Sequence, residues 1–219
     1  MSRMPHAKWY NWYANGLLMR DIEQLAHGLS GSVVIDVGCG EQPYRPALRG
    51  FSRYVGFDSP SAPDRGGNAD VFGDAGALPF ATGCADAVLC TEVIEHVPDP
   101  AALLSEFSRV LNRDGAVLLT SPFTWQIHDE PHDYWRFTEY GLRLLFERAG
   151  FRVMALRSTN GFIGALLQAK CNLLMLGSGR FHPLVRPIVW LIQVVATALG
   201  PIDRNRRMTS NYVVLARKA

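Results

Sequence analysis

The 219-residue sequence lacks several features that would define a class of protein at once. It has no run of about 20 uninterrupted apolar residues, the length that a membrane-spanning helix needs. Its first residues, MSRMPHAKWYNWYANG, carry charges and aromatic rings where a signal peptide has an unbroken apolar stretch. These absences disfavour a membrane-spanning protein and an exported one, and they predict a cytoplasmic location.

The sequence also lacks a cysteine pattern. The four cysteines are scattered, at Cys39, Cys84, Cys90 and Cys171. They form no CxxC pair and have no neighbouring histidine at the spacing of zinc ligands, so neither a disulfide framework nor a zinc site is expected. Free cysteines of this kind are usually packing residues in a reduced protein.

Charge is distributed unevenly along the chain. Residues 1–161 hold 14 Lys and Arg against 19 Asp and Glu, whereas residues 162–219 hold 8 against 1. No basic run is interleaved with aromatic residues, so a nucleic-acid partner is not expected. The basic and apolar C-terminal part favours an anionic partner such as a lipid surface, the alternative being a packed subdomain with solvated arginines.

Short apolar runs bounded by turn residues alternate with amphipathic segments, which is typical of a parallel sheet built from βαβ units. The predicted strands cover residues 32–37, 54–58, 69–73, 85–91, 116–121, 152–159 and 211–217. The predicted helices cover residues 8–28, 99–112 and 138–149, the last with Thr138 as its N-cap. One α/β domain over residues 1–219 is expected, with residues 1–29 as an N-terminal helical cap.

An apolar and basic insertion, residues 162–205, precedes the last predicted strand and has the pattern of two helices. In the second, residues 187–199, the polar residues are Gln193 and Thr197. Three functions remain open for this insertion: a hairpin in a membrane interface, a lid over an apolar substrate, and a homodimer surface. Simple core packing is the fourth alternative.

The segment VIDVGCGEQPY places Gly38 and Gly40 directly after the first predicted strand, where glycine lets the backbone approach a ligand closely. A dinucleotide site would have a third glycine opening into a helix, and that position is Pro43. Proline removes an amide that would face a pyrophosphate, and no GKS or GKT follows. The loop therefore disfavours phosphates, and with them a nicotinamide oxidoreductase.

Two acids follow the next predicted strands. Asp58 ends the second strand, 22 residues after Asp36, where a carboxylate can accept two hydrogen bonds from a ribose diol. Asp74 follows the third strand and can accept a hydrogen bond from an exocyclic amine. Each acid alone could cap a loop, but their order predicts a nucleoside ligand, and an acidic cleft favours a cationic sulfonium.

At this point the chain resembles the class I S-adenosylmethionine-dependent methyltransferases, particularly the type-eleven methyltransferase domain. The resemblance lies in VIDVGCG (34–40), YVGFDS (54–59), GDAGALPF (73–80), ADAVLCTEVIEHVPDP (85–100) and FSRVLNRDGAVLLTSP (107–122). It implies a Rossmann-like, mostly parallel sheet of seven strands in the order 3-2-1-4-5-7-6, with the last strand antiparallel and helices on both faces.

The resemblance also implies S-adenosyl-L-methionine as the cofactor and a set of contacts to it. By position, these are Asp36, Gly38 and Gly40 with the methionine part, Asp58 with the ribose, Asp74 and Ala75 with the adenine, and the backbone of Thr91.

Candidate acceptor-side groups are concentrated in the loop SPFTWQIHDEPHDYWRFT, residues 121–138, because ligands bind at the carboxyl ends of parallel strands. His128 is the predicted general base, since imidazole titrates near neutral pH. Asp133 is its predicted orienting partner, and Arg136 a predicted clamp for an anion or carboxylate. The alternative is a loop whose polar groups only hold it together internally.

A metal site in this loop is not predicted. His128 and His132 have the HxxxH spacing that aligns two imidazoles on a helix, with Asp129 and Asp133 as further ligand types. Pro131 lies between the histidines and disfavours such a helix.

The sequence therefore predicts an S-adenosylmethionine-dependent methyltransferase acting on a small-molecule or lipid-linked acceptor, chiefly at oxygen of a glycan, glycolipid or quinone-like compound. The apolar insertion favours an amphiphilic acceptor and a peripheral position at the inner face of a membrane. The alternative function is a non-catalytic, regulatory module that binds the same cofactor. The His, Asp and Arg content of residues 121–138 favours catalysis.

Overall fold

The computed structural model describes residues 9–60 and 68–219. Its seven-stranded sheet has the order β3-β2-β1-β4-β5-β7-β6. The strands are β1 (Gly31–Val37), β2 (Phe51–Asp58), β3 (Val71–Phe72), β4 (Ala85–Thr91), β5 (Leu111–Pro122), β6 (Phe151–Ser158) and β7 (Asn211–Lys218). The α-helices are α1 (Trp12–Ala26), α2 (Pro100–Val110), α3 (Glu139–Arg148), α4 (Phe162–Gly177) and α5 (His182–Leu199). Strand β7 is antiparallel to both neighbours, and the other pairs are parallel. The predicted order, the antiparallel last strand and the helical insertion are confirmed.

Both faces of the sheet are buried, because successive residues of each central strand point into two different cores. In β1, Val34 packs with α1 on one face and Ile35 packs with α2 and α3 on the other. In β5, Leu118 and Leu119 divide in the same way. Strands buried on both faces have continuous apolar sequences, which is why they could be located from the sequence.

Element boundaries differ from the prediction where long-range pairing decides them. The helix predicted over 99–112 ends at Val110, and β5 begins five residues earlier than predicted. Leu111 pairs with Ala85, and the Asn112 side chain donates a hydrogen bond of 2.6 Å to the Asp86 carboxylate. Pairing with β4 therefore ends the helix at Val110, although the apolar pattern of the helix continues to Leu111.

Helix starts were set more locally. The Asp99 side chain accepts hydrogen bonds from the amides of Ala101 and Ala102, and Thr138 accepts one from the amide of Gly141. The predicted Thr138 N-cap is present. The N-terminal helix begins at Trp12, and its predicted start at residue 8 lies outside the described residues.

The insertion between β6 and β7 is a helical hairpin, α4 and α5, which packs against α1. A buried amide network holds it: Gln193 accepts from the amide of Tyr13 at 2.9 Å and donates to Gln168 at 3.0 Å. Gln168 in turn donates to Asn172 at 2.8 Å. The polar residues of these apolar helices thus bond to one another inside the protein, where an unpaired amide would be costly.

Within the part of the chain that the structure describes, α5 alone has the length and apolar composition that crossing a membrane requires. Buried helices of soluble proteins share this length and composition. Only 17% of α5 is buried against the rest of the protein.

Candidate functional site

The loop after β1 makes a tight turn that requires glycine. Gly38 has φ of +75° and Gly40 has φ of +47°, values that other residues rarely adopt. A Cβ atom at Gly38 would collide with the side chain of Val93, whereas one at Gly40 would meet no atom within 4 Å. Gly38 therefore permits packing, and Gly40 borders open space in which a ligand can lie.

Asp58 holds this loop against the end of β2. One carboxylate oxygen accepts a hydrogen bond of 3.0 Å from the amide of Gly40, and the other accepts one of 2.8 Å from the amide of Ser59. Each carboxylate oxygen retains accepting capacity beyond these bonds. Asp58 is thus placed beside Gly40 with acceptors to spare, as a ribose site needs.

Asp36, at the carboxyl end of β1, is fully buried. The Tyr54 hydroxyl donates to one carboxylate oxygen, and the other has no hydrogen-bond partner among the described residues. Burial raises the pKa of Asp36 to about 7, against the lowering effect of the Tyr54 hydrogen bond, and the charge of Asp58 adds to the rise. An unpartnered buried acceptor beside a glycine turn fits a ligand that carries a donor or a positive charge.

This buried acid predicts a pH dependence of stability for the protein without ligand. Between about pH 4 and pH 7 the folded state holds a proton on Asp36 that the unfolded state has lost, so stability should fall as pH rises through this window. Asp36→Asn keeps an acceptor for Tyr54 and removes the titration. Its melting temperature should depend less steeply on pH between 5 and 8 than that of the unmodified protein.

The melting temperature of Asp36→Asn should still fall somewhat with rising pH, because burial also raises the pKa of Glu92 to about 7. Melting curves recorded by circular dichroism at half-unit pH steps provide the measurement. Identical slopes for the two proteins would show that Asp36 is ionised in the folded state across the whole range.

The remaining predicted cofactor residues lie at the same edge of the sheet. Asp74 follows β3, is exposed and accepts a hydrogen bond of 2.8 Å from the amide of Gly76. Ala75 and Thr91 are half-buried, Thr91 at the end of β4. Phe72 pairs with Asp58, which brings the ends of β2 and β3 together. The predicted cofactor residues thus lie at or near the carboxyl ends of neighbouring strands.

The acceptor-side loop after β5 is held by an ion pair. The Arg136 guanidinium donates to both oxygens of Asp133, at 2.6 and 2.7 Å, and to the carbonyl of Gln126 at 3.0 Å. The hydrogen bonds from Arg136 lower the pKa of Asp133 to about 2. Arg136 therefore acts inside the loop, and an anion clamp at this residue would require the pair with Asp133 to open.

His128 lies against the same carboxylate. Its Nδ1 atom is 3.2 Å from an oxygen of Asp133 and 3.2 Å from the carbonyl of Gln126. An Arg136 guanidinium nitrogen also lies 3.4 Å from Nδ1, but the two nearer acceptors favour a proton on Nδ1 and a free lone pair on Nε2. Burial lowers the pKa of His128, and the charge of Asp133 opposes that effect. The structure thus brings together His128, Asp133 and Arg136, the three residues predicted for the acceptor side.

Glu95 and His96 complete the site, in the turn after β4. The amide of Tyr134 donates to the carbonyl of Glu95 at 2.9 Å, so the acceptor loop is docked on this turn. The His96 and His128 rings meet edge to face, with centroids 4.8 Å apart. In the sequence, Glu95 and His96 lie shortly after the predicted strand 85–91, but nothing in the sequence indicates their contact with His128.

One contact went unpredicted altogether. The Asn172 side chain, on α4, donates a hydrogen bond of 2.7 Å to the side chain of Gln126 in the acceptor loop. A polar residue in an apolar helix indicates that Asn172 has a polar partner, but the sequence does not show that the partner is Gln126, 46 residues away. The hairpin is therefore tied directly to the loop that carries His128.

Comparison with known proteins matches part of the chain to a family model and to curated relatives. Residues 35–119 match the methyltransferase domain family model. A ubiquinone biosynthesis O-methyltransferase of Actinobacillus pleuropneumoniae is 28% identical over 123 residues, which cover 49% of this chain and 53% of that protein. One of Pseudomonas paraeruginosa is 32% identical over 120 residues, covering 49% and 51%. The chain thus spans about half the length of these curated relatives.

Solved structures share the fold at low sequence identity. An S-adenosylmethionine-dependent methyltransferase of Mesorhizobium loti has a TM-score of 0.59 at 14% identity and covers 94% of this chain and 100% of its own. Phosphoethanolamine N-methyltransferase 2 of Haemonchus contortus, solved with S-adenosyl-L-methionine, has a TM-score of 0.60 at 16% identity, covering 95% and 56%. The partial match to a methyltransferase domain, the sheet order and these neighbours thus show the Rossmann-like fold of the class I S-adenosylmethionine-dependent methyltransferases, and they support S-adenosylmethionine as the cofactor.

Proposed function

We propose that this protein transfers a methyl group from S-adenosylmethionine to an oxygen of a small-molecule or lipid-linked acceptor of the glycan, glycolipid or quinone-like class. The observation that carries the proposal is the position of His128, oriented by Asp133, at the carboxyl ends of β4 and β5. The O-methyltransferase names of two sequence relatives support oxygen as the acceptor atom.

On the cofactor side, the residues divide by what they can donate or accept. The unpartnered oxygen of Asp36 and the turn at Gly38 and Gly40 suit the methionine part, whose ammonium group is a donor. Asp58 suits the ribose diol. Asp74, Ala75 and the backbone of Thr91 complete the proposed contacts on the adenine side. Bound S-adenosylmethionine supplies an electrophilic methyl carbon on a sulfonium.

A test of this side is Asp58→Ala, which should weaken binding of S-adenosylmethionine by about 1–3 kcal/mol, the cost of an unpaired polar partner. The variant removes the ribose acceptor and also the partner of the Gly40 amide. Isothermal titration calorimetry measures the affinity. Asp114→Ala, an exposed acid near the opposite end of β5, is the matched control and should bind as the unmodified protein does. Unchanged affinity in Asp58→Ala would remove Asp58 from the ribose site.

On the acceptor side, a hydroxyl must lose its proton as its oxygen takes the methyl group. The Nε2 atom of His128 is the basic atom in position to receive that proton, because Nδ1 faces Asp133. Asp133 is held in place by Arg136, so the imidazole is oriented before the acceptor arrives. These three residues form the proposed catalytic unit, with Asp133 and Arg136 as positioning residues.

The hairpin supplies the argument for an amphiphilic acceptor. Its α5 exposes Leu184, Ile188 and Leu191 in one stripe, on the side away from the buried Gln193. Arg204, Arg206 and Arg207, just after α5, are exposed as well, among other basic residues of this region. Apolar and basic groups together suit the surface of an anionic bilayer, so we place the protein peripherally at the inner face of a membrane.

A direct assay tests the proposed activity. Purified protein and S-adenosylmethionine are incubated with a lipid and quinone extract, and mass spectrometry searches for compounds that gain one CH₂ group. Product formation with an O-methyl linkage is the expected result. A protein that binds the cofactor yet methylates nothing in polar and apolar extracts would instead be a regulatory module, an alternative that the internally bonded acceptor loop favours.

A further inference from the structure

Three side chains with metal-ligating atoms converge where the turn after β4 meets the loop after β5. One ligand atom from each of Glu95, His96 and His128 lies within 4.8 Å of the others. The three come from two separate segments, so the obstacle that Pro131 poses to an HxxxH helix does not apply to them.

The Glu95 carboxylate is the independent indication of a ligand. The residue is 0% exposed, and neither carboxylate oxygen has a hydrogen-bond partner in the described part of the chain. A buried carboxylate without a partner is strongly unfavourable, and a bound cation would relieve that cost. Glu92 differs, because Thr120 and Asn211 donate to its two oxygens and leave it no need of a cation.

Both imidazoles are held as metal-binding histidines usually are. His96 places Nδ1 2.8 Å from the carbonyl of His132, and His128 places Nδ1 3.2 Å from the carboxylate of Asp133. Partners of this kind keep the proton on Nδ1 and leave the Nε2 lone pair free for a metal. The Nε2 atom of His96 lies 3.7 Å from a Glu95 oxygen and 3.9 Å from an oxygen of Asp129.

We propose that Glu95, His96 and His128 bind a divalent transition-metal ion, with Asp129 as a further oxygen ligand. Two imidazoles and a carboxylate suit Zn²⁺ or Mn²⁺, whereas Mg²⁺ and Ca²⁺ prefer all-oxygen sites. Asp129 is one of three described non-glycine residues with positive φ, at +51°, a conformation that functional sites often retain.

The inference rests on the proposed function and refines it. The ion would act as a Lewis acid on an acceptor hydroxyl, whose oxygen coordinates while its proton leaves to solvent water. The acceptor oxygen would then form a bond to the methyl carbon as the carbon–sulfur bond of S-adenosylmethionine breaks and S-adenosylhomocysteine leaves. In this form Nε2 of His128 is a ligand, and the ion replaces it as the agent that deprotonates the acceptor. The acceptor class narrows to hydroxyl compounds whose oxygen can reach a metal.

The test is a binding measurement on the full chain. Chelator-treated protein is dialysed against Zn²⁺ or Mn²⁺, each alone, and metal content is measured by plasma mass spectrometry. One ion per chain is expected at saturation, with at least 10-fold weaker binding for Glu95→Gln and His96→Ala. His132→Ala is the matched control, because its ring lies outside the cluster, and should bind normally. Calorimetric melting confirms that each variant is folded.

Two results would overturn the site: no stoichiometric binding of either ion, or equal affinity in the folded Glu95→Gln, His96→Ala and unmodified proteins. Methylation at an undiminished rate by metal-free protein would overturn the role in catalysis and leave the proposed function standing. The unmodified protein could also bind one ion, both variants lose it, and no compound be methylated. That result would support the metal site and contradict the proposed function.

Discussion

Replacing His128 with alanine should lower turnover about 100-fold or more while leaving the affinity for S-adenosylmethionine unchanged. The reason is that Nε2 of His128 is proposed either to receive the acceptor proton directly or to bind the ion that promotes its loss, and general base catalysis contributes about 10²–10⁴-fold. Its contacts are all on the acceptor side, with Asp133, Gln126 and His96. Cofactor binding should therefore be spared.

Steady-state kinetics with an identified acceptor measure the loss, and calorimetry measures cofactor affinity. His27→Ala, an exposed histidine just after α1, is the control and should retain full turnover. A His128→Ala variant with normal turnover would eliminate His128 from the mechanism, both as a base and as a metal ligand. A large loss accompanied by lost metal binding would assign it to the ligand role.

The second large effect is expected at the membrane. Replacing Leu184, Ile188 and Leu191 together with serine should reduce binding to anionic vesicles at least 10-fold. These side chains are 72%, 53% and 56% exposed, so their replacement removes apolar contact area without opening the core. Complete burial of one such side chain contributes about 1.5–3 kcal/mol. Partial burial of all three in an interface still contributes well above about 1.4 kcal/mol, the free energy that corresponds to a 10-fold change in binding.

Flotation with phosphatidylserine-containing and with neutral vesicles measures the effect. Anionic vesicles should bind more protein, because each basic residue near such a surface adds about 1 kcal/mol. The control replaces Tyr140 and Leu144, exposed apolar residues of α3, with serine. Absence of flotation by the unmodified protein would contradict membrane contact, and light scattering would then separate a dimer surface from a lid.

Asn172 connects this surface of the hairpin to the loop that carries His128. It bonds to Gln126, whose backbone carbonyl accepts from Arg136 and lies 3.2 Å from Nδ1 of His128. The amide network continues from Asn172 to Gln168 on the same helix and from there to Gln193 on α5. A hairpin seated on a bilayer would therefore hold the acceptor loop in a defined position relative to the lipid.

The sequence by itself determined the sheet and the turn that adjoins its central strand. Strands buried on both faces must be continuously apolar, so their positions and their alternation with helices can be found without knowing what they contact. Gly38 and Gly40 indicate a turn with positive φ angles, because glycine is the residue that adopts them readily. Asp36 and Asp58 lie at the carboxyl ends of their strands and Asp74 just after its strand, and parallel topology then brings these positions to one edge.

Only the tertiary structure decided which polar groups meet. The pairing of Arg136 with Asp133, the unpartnered carboxylate of Glu95 and the contact of His96 with His128 arise where two loops pack together. The bond between Asn172 and Gln126 likewise joins distant segments. Hydrogen bonds and ion pairs form only when two atoms lie at the right distance to within a few tenths of an ångström. Apolar periodicity in a sequence indicates only which face of an element is buried. The sequence therefore determined the scaffold, and the packing of its loops decided the site.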